Sequence, residues 1–98
     1  METIKEIRTS KRKDFHRVVS FELSTMEKGR LENVRERCEG LDISSGGFGL
    51  ITKCALKRGS VIRLYLPVDK EGPELPVFSE VIWVQPVGSH VKAGLRFL

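Results

Sequence analysis

LENVRERCEGL, residues 31 to 41, is crowded with charge and holds Val34 and Cys38 inside it, and its pattern admits either a helix or a strand. The neighbouring residues decide between them. A turn candidate at Met26 to Gly29 precedes the stretch, and Ile43 and the residues after it continue it as extended chain. A strand is therefore expected. Upstream, Val19, Phe21 and Leu23 alternate with Ser20, Glu22 and Ser24, the period of a half-buried strand. Downstream, Phe48, Leu50 and Ile51 make a short strand, Lys57 to Ser60 turns through Gly59, and Val61 to Val68 is strongly apolar. Asp69 to Pro76, with Gly72, Pro73 and Pro76, reads as a loop. Val77 to Val84 is a fifth strand, Pro86 and Gly88 mark a turn, and Val91 to Phe97 alternates as a sixth. Six short strands between turn signals, with no long amphipathic helix, predict an all-β antiparallel barrel or sandwich. Closure into a small six-stranded barrel would also remove the exposed strand edges that a small β protein must manage.

With 98 residues, the chain is one domain by size, and 40% hydrophobic with 31% charged residues argues against wholesale disorder. No apolar run approaches the roughly 18 residues of a membrane span. The opening METIKEIRTSKRKDF has no stretch that could serve as a signal peptide, so a cytoplasmic location is expected. Cys38 and Cys54 form no CxxC and have no His pair nearby, which reads as two plain thiols and no metal site. The net charge is +4, and the excess is local: Lys5, Arg8, Lys11, Arg12, Lys13 and Arg17 crowd one short segment. Residues 1–11 are read as a flexible basic arm and 12–98 as the barrel domain.

Two stretches carry chemistry. The first is DISSGGFGL, Asp42 to Leu50. In extended chain Asp42 and Ser44 point the same way. An ionised carboxylate only accepts hydrogen bonds, which suits the two adjacent donors on the edge of a guanine, while a serine hydroxyl donates or accepts. Glycines let the backbone approach a flat ligand closely. The same residues would equally serve a tight hairpin, with Asp42 in an Asx-turn and Gly46 and Gly47 at the bend. The second stretch is KRKDFHRV, Lys11 to Val18, in which Lys13 and Arg17, Arg12 and His16, and Arg8 and Arg12 are spaced four apart. Arginine presents phosphate with a planar fork of donors and can stack on a purine, whereas lysine is a point charge. A solvated basic arm is the plainer reading. Base-edge recognition on one side and phosphate recognition on the other would suit a guanine nucleotide with more than one phosphate.

From Arg12 to Leu98 the chain resembles the PilZ domain family. That family carries an RxxxR motif before its first strand and a (D/N)xSxxG motif at a later turn. Asp42-Ile43-Ser44-Ser45-Gly46-Gly47 fits the second completely. KDFHR, Lys13 to Arg17, fits the first, with Arg17 as its second arginine, Lys13 in place of its first, and Arg12 immediately before. The closing VIWVQ and AGLRF are also similar. The resemblance implies a PilZ-like split-barrel that binds the bacterial second messenger cyclic di-GMP and acts on a downstream protein partner. Arg12, Lys13 and Arg17 would meet phosphate and guanine; Asp42, Ser44 and Gly47 would meet the base. Trp83 would lie against the ligand, unless it is a barrel-rim anchor. The lysine at 13 feeds an alternative, a PilZ-like protein-interaction adaptor of pilus or motility machinery that binds no nucleotide. A nucleic-acid partner fits poorly, because Phe48, Tyr65 and Trp83 are scattered rather than interleaved with cations. His16 and His90 join no nucleophile arrangement, so no catalytic residue and no cofactor are expected.

Overall fold

The computed structural model describes residues 12–69 and 72–98; the arm expected over residues 1–11 lies outside the described residues. Seven strands follow in order: β1 (Lys13–Asp14), β2 (Val18–Glu27), β3 (Arg30–Ile43), β4 (Gly47–Thr52), β5 (Val61–Pro67), β6 (Glu74–Val87) and β7 (His90–Phe97). They pair antiparallel in the order β1-β3-β2-β5-β6-β7-β4, and a further β3–β4 pairing closes the ring. With the two-residue β1 set aside, the closed ring is the six-stranded barrel that the alternation predicts. Among the described residues there is no helix long and apolar enough to cross a membrane.

The alternation does the packing. Val19 and Phe21 of β2, Cys38 of β3, Phe48 and Leu50 of β4, Ile62 and Leu64 of β5, Val81 of β6, and Ala93 and Leu95 of β7 fill the interior. Phe21, Phe48, Leu50 and Leu64 are fully buried, each contributing about 1.5–3 kcal/mol of transfer free energy. The β2–β3 hairpin turns at Lys28 and Gly29, whose φ values of 50° and 77° are the left-handed pair of a tight hairpin turn matched to strand twist. On one outer face, Tyr65 Oη donates to Glu22 at 2.9 Å, and Arg63 and Arg35 close on the same carboxylate at 3.3 and 3.8 Å.

Two departures from the expected boundaries share a cause. β6 starts at Glu74 and runs to Val87, so Pro76 lies in strand rather than loop, and Pro86 in strand rather than turn. Pro76 pairs only with Tyr65 of β5, and Pro86 only with Val91 of β7. Each stands where β6 has a neighbour on one side only, so the missing N–H leaves no gap in a ladder.

The other addition is the lead-in. Lys13 pairs with Ile43 and Asp14 with Asp42, the Phe15 N–H donates to the Leu41 carbonyl at 2.9 Å, and the Gly40 N–H donates to the Arg17 carbonyl at 2.7 Å. Residues 13–17 thus extend the line of β2 along β3. Phe15 is the anchor. Its ring meets Phe48 edge-on at 5.2 Å, in space that only a glycine at position 40 leaves open: a Cβ there would stand 2.5 Å from Phe15 Cδ2 and 2.7 Å from Phe48 Cζ.

Candidate functional site

The site is made by two irregularities in the barrel. Along β3 the interior residues are Cys38 and Gly40, and strict alternation would turn Asp42 inward as well. The register of β3 against β4 shifts between Gly40 and Asp42, so Leu41 is an extra residue and Ile43 becomes the next one packed on the core. Asp42 therefore faces outward. β6 repeats the device. Ser79 and Val81 face inward, the register against β7 shifts between Val81 and Trp83, and Val84 packs on the core, leaving Trp83 outside and 39% exposed. Both bulges re-aim a side chain by one step of the pleat.

The re-aimed residues fall in one row across four strands. Asp42 pairs with Gly49, Gly49 with Gly94, and Gly94 with Trp83. The two glycines between them are required. A Cβ on Gly49 would stand 2.5 Å from Asp42 Oδ1, and one on Gly94 would stand 2.1 Å from Trp83 Nε1. The carboxylate and the indole therefore lean toward each other over bare backbone. An acceptor of two hydrogen bonds and an aromatic ring thus share one outer surface.

The turn between β3 and β4 flanks this row. Ser44 rather than Asp42 holds it: Ser44 Oγ accepts the N–H groups of Gly46 and Gly47, each at 3.2 Å, and the Ser44 N–H donates to the Gly47 carbonyl at 2.9 Å. The hydroxyl keeps its own hydrogen for a further acceptor. Gly47 passes so close to β7 that a Cβ would lie 2.2 Å from the Leu95 carbonyl oxygen, so the motif glycine is a packing requirement at this position.

The lead-in brings the cations. Arg12 Nη1 lies 2.6 Å from Asp42 Oδ1, with the two side chains 52% and 35% exposed. Lys13 stands opposite Ile43, and Arg17, exposed, is tied through its carbonyl to Gly40. Arg12, Lys13, Arg17, Asp42, Ser44, Gly47 and Trp83 thus lie along residues 40–47 of β3 and its turn or in the Asp42 row, while Arg8 lies outside the described residues. One row further on, a groove of about 470 Å³ opens on the same surface, with Val18, Glu39 and Ile51 in its lining and Arg37, Lys53 and His90 among its polar groups. The sequence reading missed Gly49, Gly94 and Asp14, the last placed directly opposite Asp42. Only the pairing of distant strands reveals them.

The PilZ domain pattern matches residues 6–98, and the chain belongs to this family. No curated protein matches it. Among solved structures it is similar to the PilZ domain with c-di-GMP of YcgR from Escherichia coli, at 18% identity and a TM-score of 0.66, over 93% of this chain and 77% of that one. It is also similar to YcgR of Escherichia coli in complex with c-di-GMP, at 18% identity and a TM-score of 0.62 over 93% of this chain. It spans 38% of that second chain's length. At such identity the likeness is one of fold.

Proposed function

We propose that this domain is a cyclic di-GMP receptor: a regulatory, non-catalytic module of the cytoplasm whose ligand-bound surface engages a downstream protein. Membership of the PilZ family and the fold shared with the YcgR domain support the ligand class. The observation that carries the reading for this chain is the row that sets Asp42 and Trp83 on one outer face, beside the Ser44 turn and with the Arg12 guanidinium on Asp42. Asp42 accepts the N1–H and exocyclic amine of guanine, Trp83 offers a face for stacking, and Arg17 presents its fork to a phosphodiester.

Arg12 supplies the switch. A surface ion pair such as Arg12–Asp42 contributes at most about 1 kcal/mol. Two charge-assisted hydrogen bonds from a guanine edge contribute roughly 1.5–3 kcal/mol each and displace it. The released guanidinium turns to a phosphate. Exchange of an internal ion pair for contacts to a dianion is a common form of switching.

Calorimetric titration tests the reading. Cyclic di-GMP binds at micromolar concentration or better, and GMP far more weakly. Arg17→Ala abolishes binding with the melting temperature nearly unchanged, and Lys13→Arg tightens it by restoring the fork. A folded wild-type domain that gives neither heat nor thermal shift with cyclic di-GMP would leave the adaptor reading in its place.

A further inference from the structure

The ligand proposed above has two phosphodiesters, and the PilZ motif would meet them with two arginine forks. Here Lys13, a point charge, replaces one, and Arg12 reaches a phosphate only after it leaves Asp42. Arg35 and Arg63 are tied to Glu22 on another part of the barrel. β7 carries a further arginine at the site itself. Arg96 pairs directly with Gly47, the motif glycine, on one side and with Glu80 on the other. Leu95 between them is buried, so Arg96 projects from the same outer face as Gly94, the residue under Trp83. Two residues along a strand are about 6.6–6.8 Å apart, a gap that a guanidinium on its long stem spans readily.

Arg96 is also held in place. The Phe97 N–H donates to the Gly46 carbonyl at 3.0 Å, fastening the end of β7 to the Ser44 turn. Arg96 Nη2 is bound by Glu80 Oε1 across the β6–β7 pair. A guanidinium carries five N–H donors; Glu80 binds it through Nη2, and the side chain is 58% exposed, which leaves donors for a further acceptor. We propose that Arg96 is a ligand-contacting residue of this domain: its remaining donors bind a phosphodiester of the guanine dinucleotide and fill the place of the fork absent at position 13. The proposal rests on the cyclic di-GMP reading.

The test is titration of cyclic di-GMP into wild type, Arg96→Ala, Arg96→Lys and Glu80→Ala, with the melting temperature recorded for each. A charge-assisted hydrogen bond of roughly 1.5–3 kcal/mol corresponds to about 10- to 150-fold in affinity. Arg96→Ala is expected to bind at least tenfold more weakly. Arg96→Lys should recover only part of that, because an ammonium cannot fork. Glu80→Ala should stay within about threefold of wild type, since it breaks the cross-strand pair and spares the fork. Wild-type binding with Arg96→Ala unchanged overturns the assignment and leaves the receptor reading standing. Equal losses in Arg96→Ala and Glu80→Ala also overturn it, because the ion pair and not the fork would then matter. Absence of binding by folded wild type removes both the reading and this proposal.

Discussion

Gly94→Ala separates the platform from the fold that bears it. The new Cβ would stand 2.1 Å from Trp83 Nε1 and 2.4 Å from Cε2, so the indole must leave. It has somewhere to go, being already 39% exposed. If it gives up roughly 60 Å² of apolar cover, the cost is about 1.5 kcal/mol. Alanine recovers about 0.5–1 kcal/mol by restricting the unfolded chain relative to glycine. The net loss is then about 1 kcal/mol at most, a fall in melting temperature of roughly 4–8 °C for a domain of this size. Ligand binding should suffer more, because stacking a base on an aromatic ring contributes about 1–3 kcal/mol, or roughly 5- to 150-fold in affinity. The assay is built in. Trp83 is the chain's one tryptophan, so its emission reports the platform alone. Its emission should shift to the red in Gly94→Ala, and titration of cyclic di-GMP should perturb it in wild type far more than in the variant. A variant with wild-type emission and wild-type affinity would refute the account of Gly94 as the seat of the indole.

Gly40→Ala should damage the fold instead. Its Cβ would meet Phe15 and the fully buried Phe48, which has no exit. Overpacking of this kind costs about 1–3 kcal/mol, read as a drop in thermal midpoint, and an unchanged midpoint would show that Phe15 is not the anchor of residues 13–17. A second expectation concerns pH. Burial pushes the Cys38 thiol from 9.0 up to about 12. Between those values the unfolded chain releases the proton while the folded chain retains it, so stability is whole below pH 9 and drains as pH rises toward 12, by up to about 1.4 kcal/mol per unit. Denaturant titrations of wild type and Cys38→Ala across that window check this, and parallel pH profiles would count against it. A thiol reagent at about pH 8 should accordingly label the half-buried Cys54 slowly, and Cys38 only on unfolding.

Much of the fold and the site was legible along the chain. Val19-Phe21-Leu23 and Val91-Ala93-Leu95 announce strands by their period of two, because a pleated chain shows successive side chains to opposite faces. The small residues after Asp42 mark a turn for an equally local reason, although the structure gives the capping role to Ser44. Pro76 and Pro86 misled as loop markers, since whether a strand tolerates proline depends on which side has a neighbour.

The row of Asp42, Gly49, Gly94 and Trp83 lay beyond local reading. By alternation alone, Asp42 shares a face with Cys38 and Gly40, and Trp83 with Ser79 and Val81, both in the interior. Each bulge that turns them outward is a property of two strands in register, β3 with β4 and β6 with β7, and no single segment encodes it. The amino-acid sequence by itself determined the strands, the core and the chemical types available for binding. Barrel closure decided which of those types share a surface, because only closure lays β3, β4, β7 and β6 side by side and sets their pleats in phase.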